Sequence, residues 1–173
     1  CTIQNIILPD NLETIDDGHF NNCKSLSSVV MSNSITNIAI WAFCGCSSLT
    51  EIAFSENLER IEGRAFSGCS ALTNITLPNS VTFIGDWTFA DCTSLKSIKL
   101  SDNLTTIDHD AFNGCSVLTK IEIPHKVELI KENAFENCPK LNTIICYGET
   151  PQVETDLGLD VSTCLLKVPS IFY

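Results

Sequence analysis

Cysteine is the residue type whose number and spacing most suggest chemistry in this chain. Ten cysteines are present, and six of them recur at intervals of 23 residues: Cys23, Cys46, Cys69, Cys92, Cys115 and Cys138. Such thiols could form disulfides, hold a metal or serve as small buried apolar side chains. Zinc sites need ligand pairs about two to four residues apart, and equivalent residues of stacked repeats point their Cβ atoms in parallel, which disfavours bridges. The spacing therefore predicts a column of reduced, buried thiols, without metal or cofactor.

The other four cysteines leave more than one interpretation open. Cys44 lies where another repeat carries Asn21, so its side chain is expected at the surface. Cys146 and Cys164 fall on neighbouring predicted strands and either form a bridge or remain thiols. Cys1 could be a lipidated N-terminus, although the repeats begin without the flexible spacer that usually follows such an anchor. Cysteine usage alone therefore assigns no redox compartment.

Histidine and serine offer the other route to catalysis. The three histidines, His19, His109 and His125, fall in different phases of the 23-residue interval, so they are expected to point in different directions. The chain has no HExxH, P-loop, G-x-S-x-G or dinucleotide-binding motif. These observations predict a protein that is not an enzyme.

The charge balance limits the partners. The chain has 21 acidic and 10 basic residues, which gives a net charge of −11. Nucleic-acid binding depends on lysine and arginine at the phosphates, so this balance argues against it. No apolar run approaches the roughly 20 residues that span a bilayer, so direct membrane insertion is not expected. The chain has no starting Met and opens within a repeat, which predicts a piece of a longer protein with further coils upstream.

The elements that must position these residues are repeats of 23 residues. Four further columns accompany the cysteines at the same interval. They are phenylalanine from Phe20 to Phe135, leucine from Leu26 to Leu141, Val or Ile from Val29 to Ile144, and isoleucine from Ile15 to Ile130. Interlocked columns of this length predict a solenoid, because one coil cannot bury its own apolar edge and must stack on the next.

Residues 72–94 show how one repeat is expected to fold. The opening alternates apolar and polar residues, which predicts a short strand with one buried face. A second short extended piece is expected around Ile84. Residues 87–92 are expected to form a tight helical or 3-10 turn that buries Phe89 and Cys92. The predicted fold is thus a right-handed repeat solenoid of short parallel strands and short helical turns.

The repeats are predicted to fill residues 1–146 and to be closed by a C-terminal cap at 147–173. The seventh copy begins at Leu141, but no Phe-x-x-Cys follows it, and the predicted cap ends in a strand within residues 164–169. The individual repeats are placed at 3–25, 26–48, 49–71, 72–94, 95–117 and 118–140, with a partial copy from 141.

Two repeats carry the full pattern, LTNITLPNSVTFIGDWTFADC at 72–92 and LTKIEIPHKVELIKENAFENC at 118–138. This unit, L-x-x-I-x-L-P-x-x-V-x-x-I-x-x-x-A-F-x-x-C, resembles the BspA-like leucine-rich repeat family. The resemblance implies a cell-surface or secreted protein of a host-associated bacterium or protozoan, often one that adheres to host proteins, with no shared catalytic residues. Longer leucine-rich repeats carry an asparagine column that satisfies backbone groups. No such column exists here, so those bonds must come from elsewhere.

Two outward columns of the first strand offer a candidate binding face. One reads Ser28, Glu51, Asn74, Ser97, Lys120 and Thr143, and the other Val30, Ala53, Thr76, Lys99, Glu122 and Ile145. They form either an ordinary solvated strand face or a shallow groove for an extended protein or peptide. In the second case Lys99, Lys120 and Glu122 are expected to set specificity.

Three aromatic residues offer a rival patch. Trp41 and Trp87 occupy a position that is Gly18 or a polar residue in other repeats, so both indoles are expected to be at least half exposed. Phe83 is expected to be exposed too. These residues mark either a contact site, since aromatics are enriched at binding hot spots, or cover for a neighbouring coil.

Two classes of function remain open at this point. The first is a monomeric binding module at the cell surface, which mediates adhesion or binds host or matrix proteins. The second is a structural spacer that presents another domain of a longer surface protein. A carbohydrate-binding surface is a third option, suggested by the indoles. The non-repetitive aromatic patch favours the binding module.

Overall fold

The chain forms coils of short strands and turns. The structure, a computed structural model, describes residues 1–148, 151–153 and 156–158, and the backbone of 165–167. Each coil contributes a first and a second strand. The first strands are β1 (Asn5–Ile7), β3 (Ser28–Val30), β5 (Glu51–Ala53), β7 (Asn74–Thr76), β9 (Ser97–Lys99), β11 (Lys120–Ile123), β13 (Thr143–Cys146) and β15 (Leu165–Lys167). The second strands are β2 (Thr14–Ile15), β4 (Asn37–Ile38), β6 (Arg60–Ile61), β8 (Phe83–Ile84), β10 (Thr106–Ile107), β12 (Leu129–Ile130) and β14 (Gln152–Val153).

All strand pairs are parallel and join neighbouring coils. Asn5 lies opposite Ser28, and the pairing of the later coils repeats this register. The first strands form the ladders β1-β3-β5, β7-β9 and β11-β13-β15, and the second strands form β2-β4-β6-β8 and β10-β12-β14. The predicted repeat solenoid is therefore confirmed. β14 and β15 continue the ladders into residues 147–173, while the division into solenoid and cap stays a prediction.

The interior of the solenoid is a set of columns, of which the phenylalanine column is the largest. Rings of adjacent coils from Phe20 to Phe135 stack nearly parallel, with centroids 5.2 to 5.7 Å apart and planes within 10° of each other. From Phe43 onward these rings are fully buried. Each contact removes apolar surface from water, so the stack links the stability of every coil to that of its neighbours.

The six repeat cysteines form the predicted buried column beside these rings. Five of the thiols donate a hydrogen bond to the phenylalanine carbonyl of the preceding coil, from Cys46 Sγ to Phe20 O at 3.1 Å through to Cys138 Sγ to Phe112 O at 3.1 Å. Burial raises the pKa of Cys46 to about 12 and that of Cys138 to about 11. A thiol thus supplies one of the backbone bonds that an asparagine column would otherwise provide, and the described repeat cysteines are free thiols.

The segments after the second strands, called here the turn segments, differ from the prediction. They contain no helix within the described residues; residues 87–92 form turns. Two positions in each segment have positive φ, for example Trp87 at 54° and Asp91 at 56°. Positive φ interrupts a right-handed helix. The backbone instead bonds to the next coil, with Phe89 N–H donating to the Ala111 carbonyl at 2.8 Å.

The second positive-φ position explains a column that the sequence alone left unremarked. It is occupied only by Asn22, Gly45, Gly68, Asp91, Gly114 and Asn137, at φ of 56° to 76°. Glycine, asparagine and aspartate are the residues that tolerate this conformation. The turn segments are therefore built by backbone conformation and by main-chain bonds between coils.

Candidate functional site

The outward side of the first strands, called here the sheet face, carries a groove of about 580 Å³. Strands β7, β9 and β11 form its floor, and the loops before and after them form its rim. Side chains alternate along each strand, so Ile75 and Ile98 lie in the core while Thr76 and Lys99 face the groove. The predicted outward columns thus lie on a concave surface in the middle of the chain.

All three sheet-face residues predicted to set specificity line this groove. Lys120 Nζ forms an ion pair with Glu122 Oε1 at 2.5 Å, and the Tyr147 hydroxyl donates to Glu122 Oε2 at 2.9 Å. The bond from Lys120, followed by that from Tyr147, lowers the pKa of Glu122. The same carboxylate raises the pKa of Lys120 and of Tyr147. Glu122 is therefore a charged acceptor already occupied by two groups of the protein.

Tyr147 is the groove residue that the sequence did not indicate. It lies just past β13, where the repeat register ends, so no column marks it. Its ring is 49% exposed, and its backbone N–H donates to the Ile123 carbonyl at 3.0 Å. That bond extends the pairing of β13 with β11 and holds the ring at the end of the groove.

A second hollow, of about 490 Å³, adjoins the groove toward the N-terminal coils. Thr76 and Lys99 line both. The hollow lies where the first-strand ladder is interrupted, since β5 and β7 belong to different ladders. Ile52 and Phe54 line it and are only partly buried, although the corresponding residues of the following coils are buried. The hollow therefore reaches the edge of the hydrophobic core, where Phe54 packs edge-on against Phe66 at 5.9 Å between centroids.

The predicted aromatic patch lies elsewhere. Trp41 and Trp87 are in turn segments and Phe83 is on β8, and none of the three lines the groove. Trp41 is 46% exposed, close to expectation. The expected exposure was wrong for Trp87 and Phe83, which are partly buried.

Cation–π contacts across one coil boundary account for that burial. The Arg60 guanidinium carbon lies 4.1 Å from the Phe83 ring centroid, and that of Arg64 lies 5.2 Å from the Trp87 ring. The position shared by Trp41, Arg64 and Trp87 has φ of 54° to 58°. The glycine, aspartate and asparagine found there in other repeats thus reflect this φ, and not exposure alone.

The family can now be assigned. The model of the BspA type leucine rich repeat region, with six copies, matches residues 1–116 and 41–157. These matches cover most of the chain. The chain belongs to the BspA-type leucine-rich repeat family.

Solved structures place the BspA-type chain among bacterial leucine-rich repeat proteins. It shares 29% identity and a TM-score of 0.78 with the leucine rich repeat protein of T. pallidum, over 86% of this chain and 70% of that one. It shares 30% identity and a TM-score of 0.64 with a leucine rich cell surface protein of Faecalibacterium prausnitzii, over 89% of this chain and half of that one. A Bacteroides ovatus protein, at 20% identity and a TM-score of 0.60, shares the fold over 98% of this chain and 61% of that one. No match is found among the curated proteins.

The BspA-type repeats place the remaining candidate residues apart from one another. Within the described residues, no group of three or more histidine, cysteine, aspartate or glutamate side chains is arranged to hold a metal. The described part of the chain also contains no helix long and apolar enough to cross a membrane. Leucine-rich repeat proteins of this fold are generally non-catalytic.

Cys44 is less exposed than predicted. It is partly buried, and burial raises the pKa of its thiol, while the nearby Arg64 acts in the opposite direction. Cys146 is buried, and burial raises the pKa of its thiol as well. The bridge considered between Cys146 and Cys164 cannot be followed, because Cys164 lies outside the described residues.

A polar network in two C-terminal turn segments was not predicted. Asn113 Nδ2 donates to Asp110 Oδ1 at 2.8 Å and to Glu136 Oε2 at 2.9 Å, and Asn137 Nδ2 donates to Asn113 Oδ1 at 3.1 Å. Asp110 and Asn113 are both buried. Buried polar groups need such partners. The network therefore joins two coils where other repeats carry small or apolar residues.

Proposed function

We propose that this chain is a non-enzymatic binding module of a cell-surface protein, and that its sheet face binds an extended segment of a host extracellular or matrix protein. The groove of about 580 Å³ is the observation that carries the proposal. Its volume falls within the roughly 300–1,000 Å³ common for ligand sites. Repeat solenoids use such concave surfaces to bind other proteins.

The shape of the sheet face favours a long ligand over a compact one. The groove and the adjoining hollow share Thr76 and Lys99, so together they extend from β5 to Tyr147. A segment in extended conformation that lies along the solenoid axis would contact one outward side chain of each coil. The outward residues change from coil to coil, so each contact can select a different side chain of the ligand.

The charge and the relatives support the proposed class of partner and location. A net charge of −11 disfavours nucleic acids as partners. One similar structure belongs to a protein described as a leucine rich cell surface protein. We place the chain at the cell surface on that likeness, and we expect it to act as a monomer.

Trp41 is the observation that keeps the turn segments in view. Its half-exposed indole lies beside Ile40, which is also exposed. Such a pair could stack on a sugar or contact a protein. A chain that binds through neither face would serve as a spacer.

A binding screen with one variant for each face tests the proposal. The chain would be measured against immobilised matrix proteins, serum proteins and a glycan array. In Thr76→Arg a long charged side chain obstructs the sheet face, and Trp41→Ala/Trp87→Ala removes both indoles.

A saturable protein ligand that is lost in Thr76→Arg and kept in the tryptophan variant is the expected result. A ligand that depends on the two indoles would move the site to the turn segments, and a sugar ligand would make that site a carbohydrate site. Absence of any ligand would favour the spacer.

A further inference from the structure

We propose that the segment bound by the sheet face carries an acidic residue that pairs with Lys99 and Lys96, and a large apolar residue about three positions away that enters the hollow beside Phe54. The inference rests on the proposed function of the sheet face and names the chemistry of its ligand. Two independent features of the face support it, one electrostatic and one apolar.

The electrostatic feature is a local excess of positive charge. Acidic residues outnumber basic ones by 21 to 10 in the whole chain. In the groove the order is reversed, since Lys96, Lys99 and Lys120 line it together with two acids, Asp102 and Glu122. A chain of net charge −11 therefore presents lysines on the surface proposed to bind its ligand.

The groove acids are already held by the protein itself. Glu122 accepts from Lys120 and Tyr147, and Asp102 Oδ2 accepts from Asn79 Nδ2 at 3.2 Å. No described residue forms a hydrogen bond or an ion pair with the side chain of Lys96 or Lys99. Their charges are thus available to an incoming carboxylate, and the low-lying groove walls reduce the screening that the pair would meet at an open surface.

The apolar feature is the hollow at the interruption between β5 and β7. Ile52 and Phe54 are partly exposed there, and Pro78 completes the lining beside them. Covering these side chains removes apolar surface from water, which favours an aliphatic or aromatic ligand side chain. Glu56 also lines the hollow, so a second carboxylate is disfavoured at this point.

The separation of the two features gives the ligand its spacing. Lys99 lies on β9 and Ala53 on β5, two strands away along the solenoid. Neighbouring strands lie about 4.8 Å apart and an extended chain advances about 3.3 Å per residue, so the two ligand side chains are about three residues apart. An extended peptide with this acid–apolar spacing matches both features, in either chain direction.

A displayed library of random 12-residue peptides provides the probe. It would be selected on the chain and on Lys99→Glu, and the best peptide would then be measured on four variants. Lys140→Glu makes the same change of charge at an exposed residue away from the groove. Ala53→Trp fills the hollow, and Val30→Trp places the same ring at an exposed position of the same column outside it.

We expect the selected peptides to share aspartate or glutamate and, about three positions away, a large apolar residue. Their affinity should fall about tenfold in Lys99→Glu, because an attractive pair becomes a repulsive one. It should fall in Ala53→Trp and stay within about twofold in both controls. Selection on Lys99→Glu should instead enrich lysine or arginine.

Two results would overturn the inference in distinguishable ways. Peptides that lose affinity in Thr76→Arg but carry no acid, or that weaken equally in Lys99→Glu and Lys140→Glu, would disprove the acidic ligand and leave the sheet face as the binding site. A library that yields no peptide, or only peptides that Thr76→Arg does not affect, would overturn the proposed function together with the inference.

Discussion

The turn segments and the sheet face belong to the same coils, yet their residues vary in opposite ways. In the turn segments, phenylalanine, cysteine and a positive-φ residue recur in coil after coil. On the sheet face, the column that ends in Ile145 holds valine, alanine, threonine, lysine and glutamate in succession. The first pattern follows from backbone conformation and core packing. No such constraint acts on the second, so variation on the sheet face is available for recognition.

The largest expected effect tests whether the turn segments hold the fold together through neutral thiols. Burial raises the pKa of Cys69, Cys92 and Cys115 well above the ordinary value of 9.0, and that of Cys46 to about 12. The folded pKa values exceed the unfolded ones. Their stabilisation is therefore complete below about pH 9 and is lost as the pH rises toward 12.

Urea unfolding at pH 8 and pH 10.5 measures this loss. We expect a markedly lower midpoint at pH 10.5. The matched control is Cys92→Ala, which is less stable at pH 8 but should lose less between the two pH values. Equal losses in the parent and in Cys92→Ala would mean that other groups cause the alkaline effect.

The second effect concerns the aromatic column. Phe89→Ala removes a fully buried ring stacked between Phe66 and Phe112. The free energy of unfolding should fall by about 3–5 kcal/mol, because lost burial and a cavity act together. Thermal or urea denaturation measures it. A variant that unfolds like the parent would contradict the stacked interior.

The third effect compares the two regions directly. Gly68 has φ of 72° and an added Cβ would meet only ordinary contacts, so a substitution there tests conformation alone. Gly68→Val should cost about 2 kcal/mol in free energy of unfolding, and Gly68→Asn much less. On the sheet face, Thr76→Val should change it by less than about 0.5 kcal/mol. Similar costs at both sites would remove the distinction between the regions.

The smallest effect concerns the tryptophans at positive φ. Trp41→Asn relieves strain but loses the contacts of a half-buried ring, so its free energy of unfolding should stay within about 0.5 kcal/mol of the parent. Trp87→Asn also loses the Arg64 contact and more burial, and should be less stable by about 1 kcal/mol. Denaturation of the two variants side by side decides this. The reverse order would mean that Trp41 is the structural residue.

Much of the fold could be predicted because the interior columns share one period. The inward positions of Ile75, Phe89 and Cys92 follow from spacing alone. The turn conformation was missed, although glycine, asparagine and aspartate at one position in every coil were its signal. A tight helical turn and these turns bury residues at the same spacing, so periodicity could not separate them.

The candidate site was predicted only where it coincides with the columns. Lys99, Lys120 and Glu122 lie on strands whose outward direction alternation determines. Tyr147 follows the end of the repeat, and the burial of Trp87 depends on Arg64 one coil earlier. The hollow depends on an interrupted strand ladder beside Phe54. Contacts of this kind join residues in different repeats and leave no trace in a single repeat.

The strict interval of 23 residues has a consequence for how such a surface can evolve. Deleting residues 72–94 would join residue 71 to residue 95, and every interior column would still meet a matching residue, because one whole unit is lost. Duplication of a unit has the same property. Either event would change the distance between the hollow beside Phe54 and the lysines of the groove by one coil without altering any side chain. Unequal recombination between repeats can therefore adjust the length of the recognised segment while the fold is preserved.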